Sequence, residues 1–272
     1  YTNMIIFPNA KINLGLHVLR KRNDGFHDIE TCMYPIPLKE ALEIIPSKLF
    51  SFSHSGISIP GDSDNNLIVK AYQLLAEDFP ELPTVAIHLH KSIPIGAGLG
   101  GGSADAAFTL SLLNQLFSLG LTTKQLENYA SQLGSDCPFF IQNNPQMAEG
   151  RGEKLAPLHL DLSGNWLCLI HPGIHIGTKE AYGGIQPKLS GKNLRAILSD
   201  QSTWKSQLIN DFEKGIFDSH PEIATIKEKL YEAGAWYAAM SGSGSAVFGL
   251  FKDCPTAMDL PENYFVFTEK LP

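Results

Sequence analysis

Pro94-Ile95-Gly96-Ala97-Gly98-Leu99-Gly100-Gly101-Gly102-Ser103-Ala104-Asp105-Ala106-Ala107 is the stretch on which the reading of this chain turns. Five glycines fall between positions 96 and 102 and lead straight into a helical stripe, Ala106, Leu110, Leu113 and Phe117, with Ser103 placed as its N-cap and Gly120 as its stop. Glycine lacks a Cβ, so its backbone takes positive φ and comes close to a ligand. The first N–H groups of a helix have no partner within it, and the helix dipole makes that end attractive to anions. The stretch therefore reads as a phosphate cradle, with the Ser103 hydroxyl available to a phosphate or to Mg²⁺.

Other phosphate motifs fit less well. Gly96, Gly98 and Gly101 satisfy G-x-G-x-x-G, but a dinucleotide fold wants the first glycine directly after a strand and an acidic residue about 20 positions on. Here Lys91-Ser92-Ile93-Pro94 intervenes and a second helix follows the first. A Walker A loop ends in Gly-Lys-Ser/Thr, and Gly102 occupies the lysine position. The His-Arg-Asp and Asp-Phe-Gly markers of protein kinases are absent.

Outward from the loop, Leu14, Leu16 and Val18 alternate along a half-buried strand, which puts Lys11 and Asn13 together on its other face. Asn23-Asp24-Gly25 signals a hairpin turn, so Phe26 and His27 open the returning strand. Val85 to His90 reads as a strand, Thr123 to Leu133 as a helix, and Pro221 starts a helix with an Ile223, Ile226, Leu230 stripe that stops at Gly234. Met240 to Phe251 reads as a Ser/Gly turn entering an apolar strand. Strands and helices without strict βαβ alternation predict an α+β fold. The expected boundary lies in Pro157 to Gly164, dividing an N-terminal domain over 1–160 from a C-terminal domain over 161–272.

The chain has 21 Lys and Arg against 28 Asp and Glu, a net charge of −7, which argues against coating nucleic acid or an anionic membrane. No apolar run approaches the roughly 18 residues that span a bilayer, and no secretory pattern opens the chain. Cys32, Cys137, Cys168 and Cys254 stand far apart, as the reduced thiols of a cytoplasmic protein do. His88 and His90 would share a strand face, but no third ligand sits at a metal-site spacing. Whether the chain is a monomer or a homodimer is left open.

The loop resembles the central motif of the GHMP kinase superfamily. Pro8-Asn9-Ala10-Lys11-Ile12-Asn13-Leu14 resembles the first motif of that superfamily, and Met240-Ser241-Gly242-Ser243-Gly244-Ser245-Ala246 the third. Three motifs in the right order span nearly the whole chain. More narrowly, the chain is similar to the 4-diphosphocytidyl-2-C-methyl-D-erythritol kinase family. It has Ala10 to Leu14, Asp24-Gly25-Phe26-His27 where that family shows Asp-Gly-Tyr-His, and Gly134-Ser135-Asp136-Cys137-Pro138-Phe139-Phe140 where it shows Gly-Ala-Asp-Val-Pro-Phe-Phe. Asn65-Asn66-Leu67-Ile68, Ala148-Glu149-Gly150-Arg151-Gly152-Glu153 and Asn210-Asp211-Phe212-Glu213 are also similar. The resemblance implies a two-domain GHMP kinase fold with the active site in the interdomain cleft. It also implies ATP and Mg²⁺, a cytidyl-polyol substrate phosphorylated on its tertiary hydroxyl, and a place in non-mevalonate isoprenoid (terpenoid) biosynthesis.

By that resemblance Asp136 is the general base that takes the alcohol's proton as the phosphoryl group moves. On residues alone an aspartate is equally at home in a helix-end turn. Lys11 would keep Asp136 ionised and stabilise the developing alkoxide, where the bland reading is a solvated strand lysine. Asn13 would hydrogen-bond the acceptor polyol. Phe26 and Tyr182 would stack on the cytosine, His27 would read its edge, and Thr178 would line the same site. Pro94 to Ala104 would hold the ATP phosphates, Asn65 and Leu67 would border the adenine, and Ser103 would be a Mg²⁺ ligand. Phe26 stands where that family usually has Tyr, and Ala104 where it often has Ser. The alternatives are a GHMP kinase for another alcohol, of the mevalonate or homoserine type, and a non-catalytic nucleotide sensor.

Overall fold

The computed structural model describes residues 4–185, 187 and 193–272. Strands β1 (Met4–Ile6), β2 (Asn9–Lys21) and β3 (His27–Lys39) open the chain, followed by β4 (Ala41–Pro46), β5 (Ser51–Gly56), helix α1 (Leu67–Asp78) and β6 (Val85–Lys91). Helices α2 (Gly101–Leu116), α3 (Thr123–Leu133) and the single turn α4 (Phe139–Gln142) precede β7 (Gln146–Gly150), β8 (Lys154–Pro157) and β9 (Trp166–His171). Short helices α5 (Thr178–Gly183), α6 (Leu194–Leu198) and α7 (Trp204–Gln207) lead to α8 (Phe212–Ser219), α9 (Pro221–Glu232) and strands β10 (Tyr237–Met240), β11 (Val247–Phe251) and β12 (Phe265–Lys270). The fold is α+β and has two compact units. One comprises the residues up to Ala10, Leu38–Ile95 and Gly100–Asn144; the other comprises Lys11–Pro37, Gly96–Leu99 and Pro145 onward.

In the first unit a four-stranded sheet, β1-β4-β6-β5, is antiparallel except where β5 runs parallel to β6. Alternation sends Leu42 and Ile44 of β4 and Val85, Ile87 and Leu89 of β6 into one core with Ile68, Tyr72 and Leu75 of α1 and Ala106, Leu110 and Leu113 of α2. His88 and His90 hydrogen-bond to serines of β5: His88 to Ser53 and Ser55, His90 to Ser55. Among the described residues no group of three or more His, Cys, Asp or Glu is arranged to hold a metal ion. Asn66 caps α1 by accepting from the Ile68 amide, and Thr122 with Gln125 forms a capping box on α3.

Helix α2 departs from expectation at both ends. Its N-cap is Gly100, in the left-handed region at φ 71°, and Ser103 is the third residue of the helix rather than its cap. Without a Cβ at 100, 101 or 102 the chain turns into the helix one residue after Gly100. The helix ends at Leu116, before Gly120, where Asn114 exchanges two hydrogen bonds with the backbone of Leu121 and pulls the chain back.

The second unit holds two four-stranded sheets, β2-β3-β7-β8 and β10-β11-β9-β12. Cys168 and Ile170 of β9, Val247 of β11 and Met240 of β10 pack with Phe212 and Ile216 of α8 and Ile223, Ile226 and Leu230 of α9. Pro221 is the first residue of α9, as its fixed φ favours. Strand β2, expected to be half-buried, is buried on both faces from Asn9 through Val18. Its polar residues Lys11 and Asn13 are each only 3% exposed. Side chains of that kind are kept out of water only when their donors and acceptors are paired.

Candidate active site

The pairing of Lys11 and Asn13 builds the centre of the second unit. Lys11 Nζ donates to Asn13 Oδ1 at 2.6 Å and to the Gly98 carbonyl at 3.0 Å. Asn13 Nδ2 donates to Thr31 Oγ1 at 3.1 Å, and the Thr31 hydroxyl passes the chain on to the Gly15 carbonyl. Ser241 Oγ donates to the Gly98 carbonyl at 2.9 Å and accepts from the Asn13 amide at 3.2 Å. The first motif, the glycine-rich stretch and the Ser/Gly turn thus meet at Gly98. Gly98 has φ +76°, and a Cβ on it would lie 2.0 Å from the Ser241 carbonyl oxygen, so no other residue fits.

Three successive carbonyls of the glycine-rich stretch face donors of the protein itself. Ala97 O accepts from the Ala246 amide, Gly98 O from Lys11 and Ser241, and Leu99 O from the Lys11 amide. In a trans peptide the N–H points opposite to the carbonyl of the same unit, so the amides of Gly98, Leu99 and Gly100 are turned the other way. The four amides from Gly100 to Ser103 are those that an α-helix leaves without an internal acceptor. At the head of α2 the run of free amides therefore extends from Gly100 to Ser103. It stops there, because the Ala104 amide is spent on Gly100 O at 2.9 Å and the Ala104 side chain is fully buried. Pro94 is buried, while Ile95 and Gly96 are exposed.

In the first unit, Leu67 lies beside the loop, 3.9 Å from where a Cβ of Gly102 would stand. Asn65 is exposed, and the capping role belongs to its neighbour Asn66. Asp136 sits half-buried in the turn between α3 and α4. The Ser103 side chain stands near the Cys137 thiol, which brings the head of α2 to the residue next to Asp136. Burial pushes the Cys137 thiol up to about 11, the behaviour of a packing residue and not of a reactive thiol.

The hairpin residues gather in the second unit. The His27 and Tyr182 rings are stacked, with centroids 4.5 Å apart and planes at 18°, and Tyr182 meets Phe212 edge-on. Burial, with Lys21 nearby, lowers the His27 titration below its ordinary value, so the ring is neutral at pH 7. Phe26 is 55% exposed, in the turn just before β3, and carries the Arg151 guanidinium 5.0 Å above its ring. Thr178 opens α5; its side chain lies outside the described residues.

Sequence reasoning assigned no role to the members of three sets of residues. Thr31 and Ser241 complete the Lys11–Asn13 network. Asn210 Nδ2 donates to the Met240 and Gly242 carbonyls, both at 2.8 Å, and Glu213 Oε1 accepts from the Met240 amide. The Asn210 to Glu213 motif therefore braces the Ser/Gly turn, a role visible only once the chain is folded. Glu40, Lys91 and Asp105 form a buried ion cluster under the glycine-rich stretch.

The family model described as GHMP kinases N terminal domain matches residues 66–144, and that described as GHMP kinases C terminal matches residues 192–257. A 4-diphosphocytidyl-2-C-methyl-D-erythritol kinase of Cytophaga hutchinsonii is 56% identical over 254 residues, 93% of this chain and 94% of that protein. The chain belongs to the GHMP kinase family. A kinase of the same name from Bacteroides fragilis is 50% identical and covers 98% of this chain and 99% of its own length. The crystal structure of a 4-(cytidine 5'-diphospho)-2C-methyl-D-erythritol kinase matches at a TM-score of 0.77 with 32% identity, over 91% of this chain and 90% of that one. Mevalonate kinase of Methanococcus jannaschii shares the fold, with a TM-score of 0.73 over 100% of this chain and 99% of that one, at only 12% identity. As a GHMP kinase the chain is an ATP-using small-molecule kinase. None of its described helices is long and apolar enough to cross a membrane.

Proposed function

We propose that this kinase transfers the γ-phosphoryl group of ATP to the tertiary hydroxyl of 4-diphosphocytidyl-2-C-methyl-D-erythritol, as a cytoplasmic step of non-mevalonate isoprenoid biosynthesis. The observation that carries the reading is the 56% identity to a kinase named for that substrate. The Lys11–Asn13–Gly98–Ser241 network, which ties the three GHMP motifs together, supports it.

Phosphoryl transfer asks the protein for positioning and for charge stabilisation more than for covalent chemistry. The free amides at the head of α2, Gly100 to Ser103, bind and orient the phosphates. Asp136 takes the proton of the acceptor alcohol, and Lys11 supplies the cation that stabilises the alkoxide as it forms. Asn13 orients both Lys11 and the polyol. Phe26 and Tyr182 present ring faces to the cytosine, while the neutral His27 ring has one donor and one acceptor nitrogen for its edge. Magnesium suits this donor set, because it binds mainly through phosphates and water with only one or two protein oxygens, here the Ser103 hydroxyl. When bound it neutralises charge on the transferring phosphates.

The test is a panel assay of the purified chain with ATP and either the cytidyl substrate, mevalonate or homoserine, with the product located by phosphorus NMR. Turnover confined to the cytidyl substrate is expected. Equal turnover of an alcohol that carries no cytidyl group would refute the substrate, and ATP binding without turnover of any alcohol would favour a sensor.

A further inference from the structure

The Ser/Gly turn that follows β10 is braced from several sides. The Gly244 amide donates to the Ser241 carbonyl at 3.0 Å, which closes a β-turn with Gly242 and Ser243 at its two central positions. Gly242 has φ 57°, where glycine stands without strain. Asn210 Nδ2 donates to the Met240 and Gly242 carbonyls, Glu213 Oε1 accepts from the Met240 amide, and the Ser241 amide donates to the Ala246 carbonyl at 2.9 Å. A β-turn forms on its own dihedrals and a single hydrogen bond. The other bonds fix where this one sits.

They hold it against the centre of the site. A Cβ on Gly98 would lie 2.0 Å from the Ser241 carbonyl oxygen and 3.2 Å from the Gly244 nitrogen, so backbone on both sides of Ser243 rests on the glycine-rich stretch. A Cβ on Gly242 would lie 3.2 Å from Asn13 Oδ1 and 3.3 Å from the Gly98 carbonyl oxygen. Those are the two acceptors that hold Lys11 Nζ. Ser243 is the next residue along.

The three serines of the turn differ in what their hydroxyls do. Ser241 Oγ donates to the Gly98 carbonyl and Ser245 Oγ to the Ile174 carbonyl, and both residues are fully buried. Ser243 is half-buried, and among the described residues its hydroxyl has no hydrogen-bond partner. Neither flanking glycine has a side chain to shield it. One hydroxyl is therefore left over, on a backbone that is already fixed.

We propose that Ser243 is a further catalytic residue, whose hydroxyl donates a hydrogen bond to a non-bridging oxygen of the phosphoryl group in flight. The inference rests on the kinase reading above only as far as transfer from ATP to an alcohol; which alcohol does not enter. As the bond from the alcohol oxygen to the γ-phosphorus forms and the bond to the β–γ bridging oxygen breaks, charge spreads over three equatorial oxygens. One cation at Lys11 serves one side of such a group, and a neutral donor beside it serves another. Ser243 keeps its own proton throughout, so it needs no neighbouring base. Its backbone is held by Asn210, Glu213 and Ser241, which lets the donor act without reorganising. The turn leans on Gly98, within the glycine-rich stretch, which favours the phosphoryl oxygens over the polyol as its partner.

The experiment measures kcat, KM for ATP and the thermal midpoint of the full chain for wild type, Ser243→Ala and Ser243→Thr, with the alcohol that the wild type turns over. Ser243→Ala is expected to lower kcat by about 10–100-fold, the worth of a hydrogen bond to a charged group. KM for ATP and the midpoint should stay near wild type, because the contact belongs to the transition state and the hydroxyl has no partner in the fold. Ser243→Thr, which keeps the hydroxyl, should recover most of the rate. Wild-type kcat in Ser243→Ala would overturn the proposal, and so would an equal loss in both variants, or a midpoint that drops in step with kcat. A wild type that phosphorylates no alcohol would remove the kinase reading and this proposal together, whereas an active wild type with an equally active Ser243→Ala removes the proposal alone.

Discussion

Lys11 Nζ lies 2.6 Å from Asn13 Oδ1 and 3.0 Å from the Gly98 carbonyl, so the ammonium is tied to the strand it comes from and to the loop that GHMP kinases share. Its charge is therefore held in place before any substrate arrives, the condition under which a cation stabilises a transition state without reorganising. Lys11→Met is expected to lower kcat by about 10²–10³-fold, the scale of losing one such group. It also takes the Lys11 donor from the buried Asn13 Oδ1, while the Gly98 carbonyl keeps the Ser241 hydroxyl, at a cost of about 1–3 kcal/mol in stability. Steady-state kinetics and thermal unfolding check the two halves separately; a change confined to KM would remove Lys11 from the chemistry.

Asp136→Asn keeps the shape of the side chain and removes the carboxylate proposed above as the base. A loss of about 10²–10⁴ in kcat is expected, with the ATP affinity close to that of the wild type. Isothermal titration with a non-hydrolysable ATP analogue separates the two. Equal losses in binding and turnover would mean that Asp136 holds the site together and takes no proton.

The glycines divide into two groups. Gly98→Ala forces a Cβ to 2.0 Å from the Ser241 carbonyl oxygen at a positive φ, and Gly101→Val pushes against Ile93 and Lys91, with the Cβ alone at 3.0 and 3.1 Å. Both are expected to destabilise the fold by about 1–3 kcal/mol, the range for overpacking. At Gly101 the added side chain meets the protein's own core, not open space. Gly102→Ala has only Leu67 at 3.9 Å and no positive φ. Its unfolding midpoint should stay near the wild-type value while ATP affinity falls, so a large loss of stability in Gly102→Ala would contradict the arrangement.

Phe26→Ala should raise KM for the cytidyl substrate by the equivalent of about 1–3 kcal/mol, the worth of one base stack, with little change in kcat or stability, since the ring is 55% exposed. Its partner Arg151, stacked on Phe26, should matter less. KM values for the two single variants, measured with the same substrate, test the order.

On the proposed reading the neutral His27 ring is the form that meets the cytosine, and its titration is lowered by burial and by Lys21. KM for the cytidyl substrate should hold steady near neutrality and rise as pH falls below the ordinary histidine range, and His27→Gln should abolish that limb. A pH profile of kcat/KM on both proteins is the check; an unchanged acid limb in the variant would assign it to another group.

Local chemistry on the page of the sequence was enough for much of this protein. Glycine spacing, the Asn-Asp-Gly turn and helical stripes predicted α2, α3, α9, the hairpin and the α+β class, because they depend on residues close together in the chain. The three motifs likewise pointed to the kinase family. Tertiary structure alone decided that residues 11–37 and 96–99 pack with the C-terminal half, and that β2 is buried on both faces. It also decided that the helix begins at Gly101 rather than after Ser103, that Asn210 braces a turn 30 residues away, and that Glu40 meets Lys91 and Asp105. Those contacts join side chains far apart in sequence, and a polar residue buried by such a partner looks, in the linear chain, the same as one facing water.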